Sequence, residues 1–176
     1  MHSTQSTAMS PLASLAGIAT LLAAGSAFAN DDFETQLKSY AEVPSVSSTA
    51  SGRFKASIDR KSASIRYELS YRDLQGEVRQ AHIHLGQKGV NGAIMVFLCQ
   101  TATNPDPTGL APQCVQSGSV QGVLQAANVG AAAAAQGIAA MEFEEMADAI
   151  RAGVAYVNVH SSTFPGGELR GQLRED

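Results

Sequence analysis

Across most of this chain, apolar residues fall on every second position, and a period of two commits a polypeptide to half-buried β-strands. Residues 51–59 place Phe54, Ala56 and Ile58 on one face and Arg53, Lys55 and Ser57 on the other. Residues 64–74 repeat the pattern, with Ile65, Tyr67, Leu69 and Tyr71 against Ser64, Arg66, Glu68 and Ser70. Asp59-Arg60-Lys61 turns the chain between them, so the two form a hairpin. A first strand is expected at 33–43, ended by Pro44 and a Ser-rich turn, and others at 78–85, 115–124, 154–160 and 168–173. Residues 93–99 (AIMVFLC) are apolar on both faces and should be covered on both sides. About eight strands imply an all-β fold, an antiparallel β-sandwich.

One stretch departs from the alternation. Phe143, Met146, Ala147 and Ile150 recur at helical spacing and Gly153 is a natural stop, so a short helix is expected before the C-terminal hairpin. Glu142, Glu144, Glu145 and Asp148 then form its solvated face rather than a catalytic cluster. The alanine-rich residues 125–142 fit either helix or loop.

The N-terminus is of another kind. Residues 11–29 carry no charge, and Ala27-Phe28-Ala29 obeys the small-x-small rule for signal-peptidase cleavage. Residues 1–29 are therefore read as a signal peptide and 30–176 as one domain of about 147 residues, a normal single-domain size. The first ten residues hold no Lys or Arg, unlike most signals, and the alternative is an uncleaved anchor. Its apolar core of about 14 residues is short of the ~20 that span a bilayer. The expected destination is the periplasm or the medium, with no stable membrane anchor.

Cysteine usage agrees. Cys99 and Cys114 flank a Pro-rich loop, and in an oxidising compartment a disulfide is favoured over two buried thiols. No CxxC or Cys/His spacing surrounds them to suggest zinc. The net charge is −4 and the twelve basic residues are dispersed, which gives no electrostatic footprint for nucleic acid. The expected partner is an extracellular or periplasmic protein or ligand.

Strand alternation also sorts the chemistry. In AHIHLG, Ala81, Ile83 and Leu85 share the apolar face and leave His82 and His84 opposite. In YVNVH, Val157 and Val159 leave Tyr156, Asn158 and His160, and in ELRGQL, Leu169 and Leu173 leave Glu168, Arg170 and Gln172. If these strands are neighbours, three imidazoles meet on one face. Such a set suits copper or zinc, the only cofactors the residues suggest. The alternative is a polar face whose members bond one another and nearby turns. Arg170 opposes a cation there unless Glu168 neutralises it. Gly86, Gly89, Gly92, Gly166 and Gly167 are expected to serve turns with positive φ. No G-x-S-x-G, P-loop, dinucleotide fingerprint or HExxH is present, so no catalytic residue is assigned.

Two segments, AHIHLGQKGVNG and AYVNVHSSTFPGGELRGQL, resemble the signatures of the CHRD (chordin) domain family, as do Ala41-Glu42-Val43-Pro44 and Ala50-Ser51-Gly52. The resemblance covers about residues 33–174. It implies an extracellular all-β domain, found in chordin and in bacterial exported proteins, and no established activity or cofactor. The reading that results is an exported domain with a binding or structural role, whose functional surface is the face carrying His82, His84, Asn158, His160 and Arg170. The alternative is a copper- or zinc-dependent redox enzyme resembling superoxide dismutase, which also uses an H-x-H strand pair on a β-sandwich.

Overall fold

A computed structural model describes residues 1–2 and 30–175. The expected signal segment lies almost wholly outside them. Eight strands appear: β1 (Asp31–Lys38), β2 (Ser51–Asp59), β3 (Ser64–Arg72), β4 (Val78–Leu85), β5 (Ala93–Cys99), β6 (Gly118–Leu124), β7 (Ala155–Ser161) and β8 (Leu169–Gln172). They form one antiparallel sheet in the order β5-β4-β7-β8-β1-β2-β3-β6, whose two edge strands approach each other. The sheet thus curls over into the two layers of a sandwich. Between β8 and β1 the ladder has one pair, Lys38 opposite Arg170, and this seam joins the two halves.

The apolar faces read from the alternation meet in the interior. Phe33, Leu37, Phe54, Ile58, Ile65 and Leu69 from one half pack with Ala81, Ile83, Val157, Val159, Leu169 and Leu173 from the other. Strand β5 is buried on both faces at Met95, Val96 and Leu98, as its composition requires. Tyr67 bridges the halves near the open edge, its hydroxyl donating to the Leu98 carbonyl at 2.6 Å.

Helix α1 (Phe143–Arg151) buries Phe143, Met146, Ala147 and Ile150. Gly153, at φ 69°, ends it in a Schellman turn, in which Val154 N–H donates to Ala149 O and Gly153 N–H to Ile150 O. The alanine-rich stretch is neither long helix nor strand. It contains two single 3-10 turns, Ala126–Asn128 and Ala134–Gln136, and lies along the outer edge of β5, where Gly130 N–H donates to Met95 O. An unpaired strand edge is thereby partly covered.

Strand β1 is shorter than the apolar pattern implied. It stops at Lys38 because Ser39 turns the chain, its hydroxyl donating to the Ser48 carbonyl at 3.0 Å. The connection from residue 39 to residue 50 then folds across the polar side of the sheet instead of extending it. Among the described residues no helix is long and apolar enough to cross a membrane.

Cys99 and Cys114 are bonded, and the described residues contain no free cysteine. Closing this loop removes about 3 kcal/mol of chain entropy from the unfolded state. The double variant Cys99→Ala/Cys114→Ala is expected to lose stability of that order in urea denaturation, with unchanged far-ultraviolet circular dichroism.

Candidate metal centre

Strand register decides which polar side chains meet. His82 of β4 lies opposite Asn158 of β7, which lies opposite Arg170 of β8. His84 stands opposite Tyr156 and Gln80 opposite His160, so His160 is a diagonal neighbour of His82. The three imidazoles predicted to share a face do so, and their ligand atoms all lie within 4.8 Å of one another.

This face is not a surface, as the alternation alone would make it. His82, His84 and His160 are only 0%, 8% and 7% exposed, and Asn158, Glu168 and Arg170 are buried with them. Three connections cover it: residues 39–50, 86–92 and 162–168. Asn91 Nδ2 donates to the Val43 carbonyl, pinning two of these together. At Gly92 any Cβ would collide with the Leu85 backbone, so this glycine is required by close approach rather than by positive φ. Of the five glycines expected to adopt positive φ, Gly89 and Gly167 do.

The hydrogen bonds settle the tautomers. His84 Nδ1 lies 2.9 Å from the Gly92 carbonyl, and His160 Nδ1 lies 2.9 Å from the Pro165 carbonyl. A carbonyl only accepts, so both Nδ1 atoms carry the proton and both Nε2 atoms present a lone pair. His82 Nδ1 lies 3.1 Å from His160 Nε2 and, with no ion between them, donates to it. Nε2 of His82 and Nε2 of His84 are then buried lone pairs without a partner. Such atoms are costly to bury unless something accepts the electron pair.

The cluster is close to the geometry that one shared metal ion requires. An imidazole ligating at ~2.0 Å puts its ring centre about 3.1 Å from the metal, so three rings around one ion have centres about 5.1–5.4 Å apart. The separations are 4.9 Å for His82–His160 and 5.3 Å for His82–His84, close to that range, and 6.4 Å for His84–His160, about an ångström wider, so these two rings must draw together to share one ion. A backbone carbonyl holding the far ring nitrogen is what orients metal-ligating histidines generally.

The surroundings are aromatic and cationic. The Phe97 ring meets His82 edge-on at 4.3 Å. Tyr156 stacks on His84, ring centres 4.7 Å apart, and the Arg170 guanidinium carbon sits 3.4 Å above the Tyr156 ring centre. Arg170 is held by Asn91 Oδ1 at 2.8 Å and the Val90 carbonyl at 2.6 Å. Glu168, expected to neutralise it, instead accepts from Ser48 Oγ at 2.5 Å and from the Gln75 N–H at 2.9 Å. The carboxylate whose ionisation Arg170 favours is Glu42, which also accepts from Asn158 Nδ2 at 2.5 Å. Sequence reasoning passed over Glu42 as part of a familiar AEVP segment. A charge followed by Val-Pro in a turn carries no signal that it is buried. Gln172 completes the framework by donating to the carbonyls of Gly86, Gly153 and Ala155.

Burial, reinforced by the neighbouring imidazoles, pushes the His82 pKa far down. Burial lowers His84 to about 4 against the favourable bond to Gly92, and it also lowers His160. All three are therefore neutral, ligand-ready imidazoles at physiological pH. Burial raises Glu42 to about 7 although Arg170 pulls it down.

The family model for the CHRD domain matches residues 33–173. No curated protein and no solved structure matches the chain.

These shifts set the pH dependence of the metal-free domain. The unfolded chain takes up protons on its histidines near pH 6.5 while the folded one resists, so their contribution is complete above about 6.5 and is lost as pH falls, for His84 toward 4. Glu42 acts oppositely: its contribution is complete below 4.5 and is lost as pH rises toward 7. In metal-free urea titrations Glu42→Gln is expected to gain on the wild type between pH 4.5 and 8, by on the order of 3 kcal/mol. A pH-independent difference between the two proteins would refute this assignment.

Proposed function

The chain belongs to the CHRD-domain family, and we propose that it is an exported binding domain holding one transition-metal ion, copper or zinc, between His82, His84 and His160. The observation that carries the reading is the pair of buried, unpartnered Nε2 lone pairs on His82 and His84, beside His160 Nε2, which accepts from His82 Nδ1 and would exchange that bond for the ion. A purely structural polar face, bonded internally, would use those atoms. The disulfide supports residence in an oxidising compartment, and the −4 charge with scattered basic residues supports a partner other than nucleic acid.

The competing redox-enzyme reading requires small oxygen species to reach the ion. Burial of all three rings beneath the 39–50, 86–92 and 162–168 connections favours holding the metal over turning over a substrate on it.

Metal analysis and titration decide the matter. The mature domain is expected to bind about one equivalent of copper or zinc at micromolar concentration, and His82→Ala and His160→Ala to lose it. Metal at a hundredfold excess over its dissociation constant should add about 2.7 kcal/mol of stability to the wild type and none to the variants. Absence of any binding at micromolar metal, with His160→Ala lowering stability alone, would return the face to a structural role.

A further inference from the structure

Resting on the metal-binding reading, we infer that the ion this site selects is monovalent copper, Cu(I), held by three neutral imidazole nitrogens. The donor set is the first reason. The cluster of potential ligands contains His82, His84 and His160 and, among the described residues, no carboxylate or thiolate. Three uncharged nitrogens cancel none of a cation's charge. The desolvation cost of an ion grows with the square of its charge, so a buried dication costs about four times as much as a monocation.

The electrostatic surroundings push the same way. Arg170 lies on Tyr156, which lies on His84, a stack that brings a fixed positive charge toward the ligands. Its hydrogen bonds go to Asn91 and Val90, so no carboxylate is clamped onto the guanidinium to cancel it. Burial raises Glu42, the acid that feels the Arg170 charge, to about 7, so its carboxylate is only partly ionised at neutral pH. A monocation tolerates this field better than Zn(II) or Cu(II).

Coordination number is the third reason. Zn(II) and Cu(II) want at least a fourth ligand, usually water in a three-residue site, whereas Cu(I) is satisfied by three nitrogens in a plane. The unpartnered Nε2 atoms have no contact with solvent, and the Phe97 ring closes one side of His82. Both cysteines are consumed in the disulfide, so a bound Cu(I) cannot be assigned to thiolate instead.

The test is anaerobic competition on the disulfide-intact wild-type domain. Cu(I) is titrated against bicinchoninate, Zn(II) against a colorimetric zinc chelator, and Cu(II) by quenching of tyrosine fluorescence. The expected result is one Cu(I) bound at least a hundredfold more tightly than Zn(II) or Cu(II). X-ray absorption should then show three imidazole nitrogens at about 2.0 Å and a three-coordinate edge. His82→Gln and His160→Gln, nearer in shape than alanine, should each weaken Cu(I) at least a hundredfold. Should either fail to fold, the wild-type competition and the absorption spectrum still decide. Zn(II) or Cu(II) binding as tightly as Cu(I) overturns this inference and leaves the metal-binding reading standing. Binding of none of the three overturns both.

Discussion

Two backbone carbonyls, those of Gly92 and Pro165, set the orientation of the buried imidazoles. By accepting from Nδ1 of His84 and of His160 they fix the proton on one nitrogen and turn the lone pair of the other inward. Those carbonyls belong to connections that are themselves held down: Asn91 reaches Val43, Arg170 reaches Asn91 and Val90, and Gln172 gathers the carbonyls around Gly86. The polar residues of the two signature segments thus act largely on the loops, and the loops act on the imidazoles. Loosening the 86–92 turn would free the ring of His84 to rotate without touching a ligand.

Strand-level features were legible in the chain because alternation is a local property. Phe54, Ala56 and Ile58 announce their face without reference to any partner, and β2, β4 and β5 begin and end where the pattern does. The gathering of His82, His84 and His160 followed from the same parity rule once β4 and β7 were neighbours. Cys99 and Cys114 were legible through compartment chemistry.

What was not legible is long-range. Parity says which side of a strand a residue occupies, not whether a loop will lie over that side. Residues 39–50 read as the tail of a strand and a Ser-rich turn, yet they bring Glu42 against Asn158 and Ser48 against Glu168, partners more than a hundred positions away. The role of Glu168 was misplaced for the same reason: its neighbour in the motif is Arg170, but successive residues in space come from elsewhere. The alanine-rich stretch was undecidable because alanine favours helix only weakly without an amphipathic face, and docking along β5 settled its form.

The narrow seam between β8 and β1 has a consequence in time. The last strand of the chain is the hydrogen-bonded link between the half that contains β1, β2, β3 and β6 and the half that contains β4, β5 and β7. A polypeptide emerging from its N-terminus can build the first hairpins early, but β7 and β8 arrive last, and the imidazole of His160 arrives with them. Such a wiring, rich in contacts distant along the chain, belongs with slowly folding topologies. The cluster of three imidazoles is therefore a product of completed synthesis: a growing or truncated chain carries only the His82 and His84 pair of it, and the third ring comes as the two halves are joined.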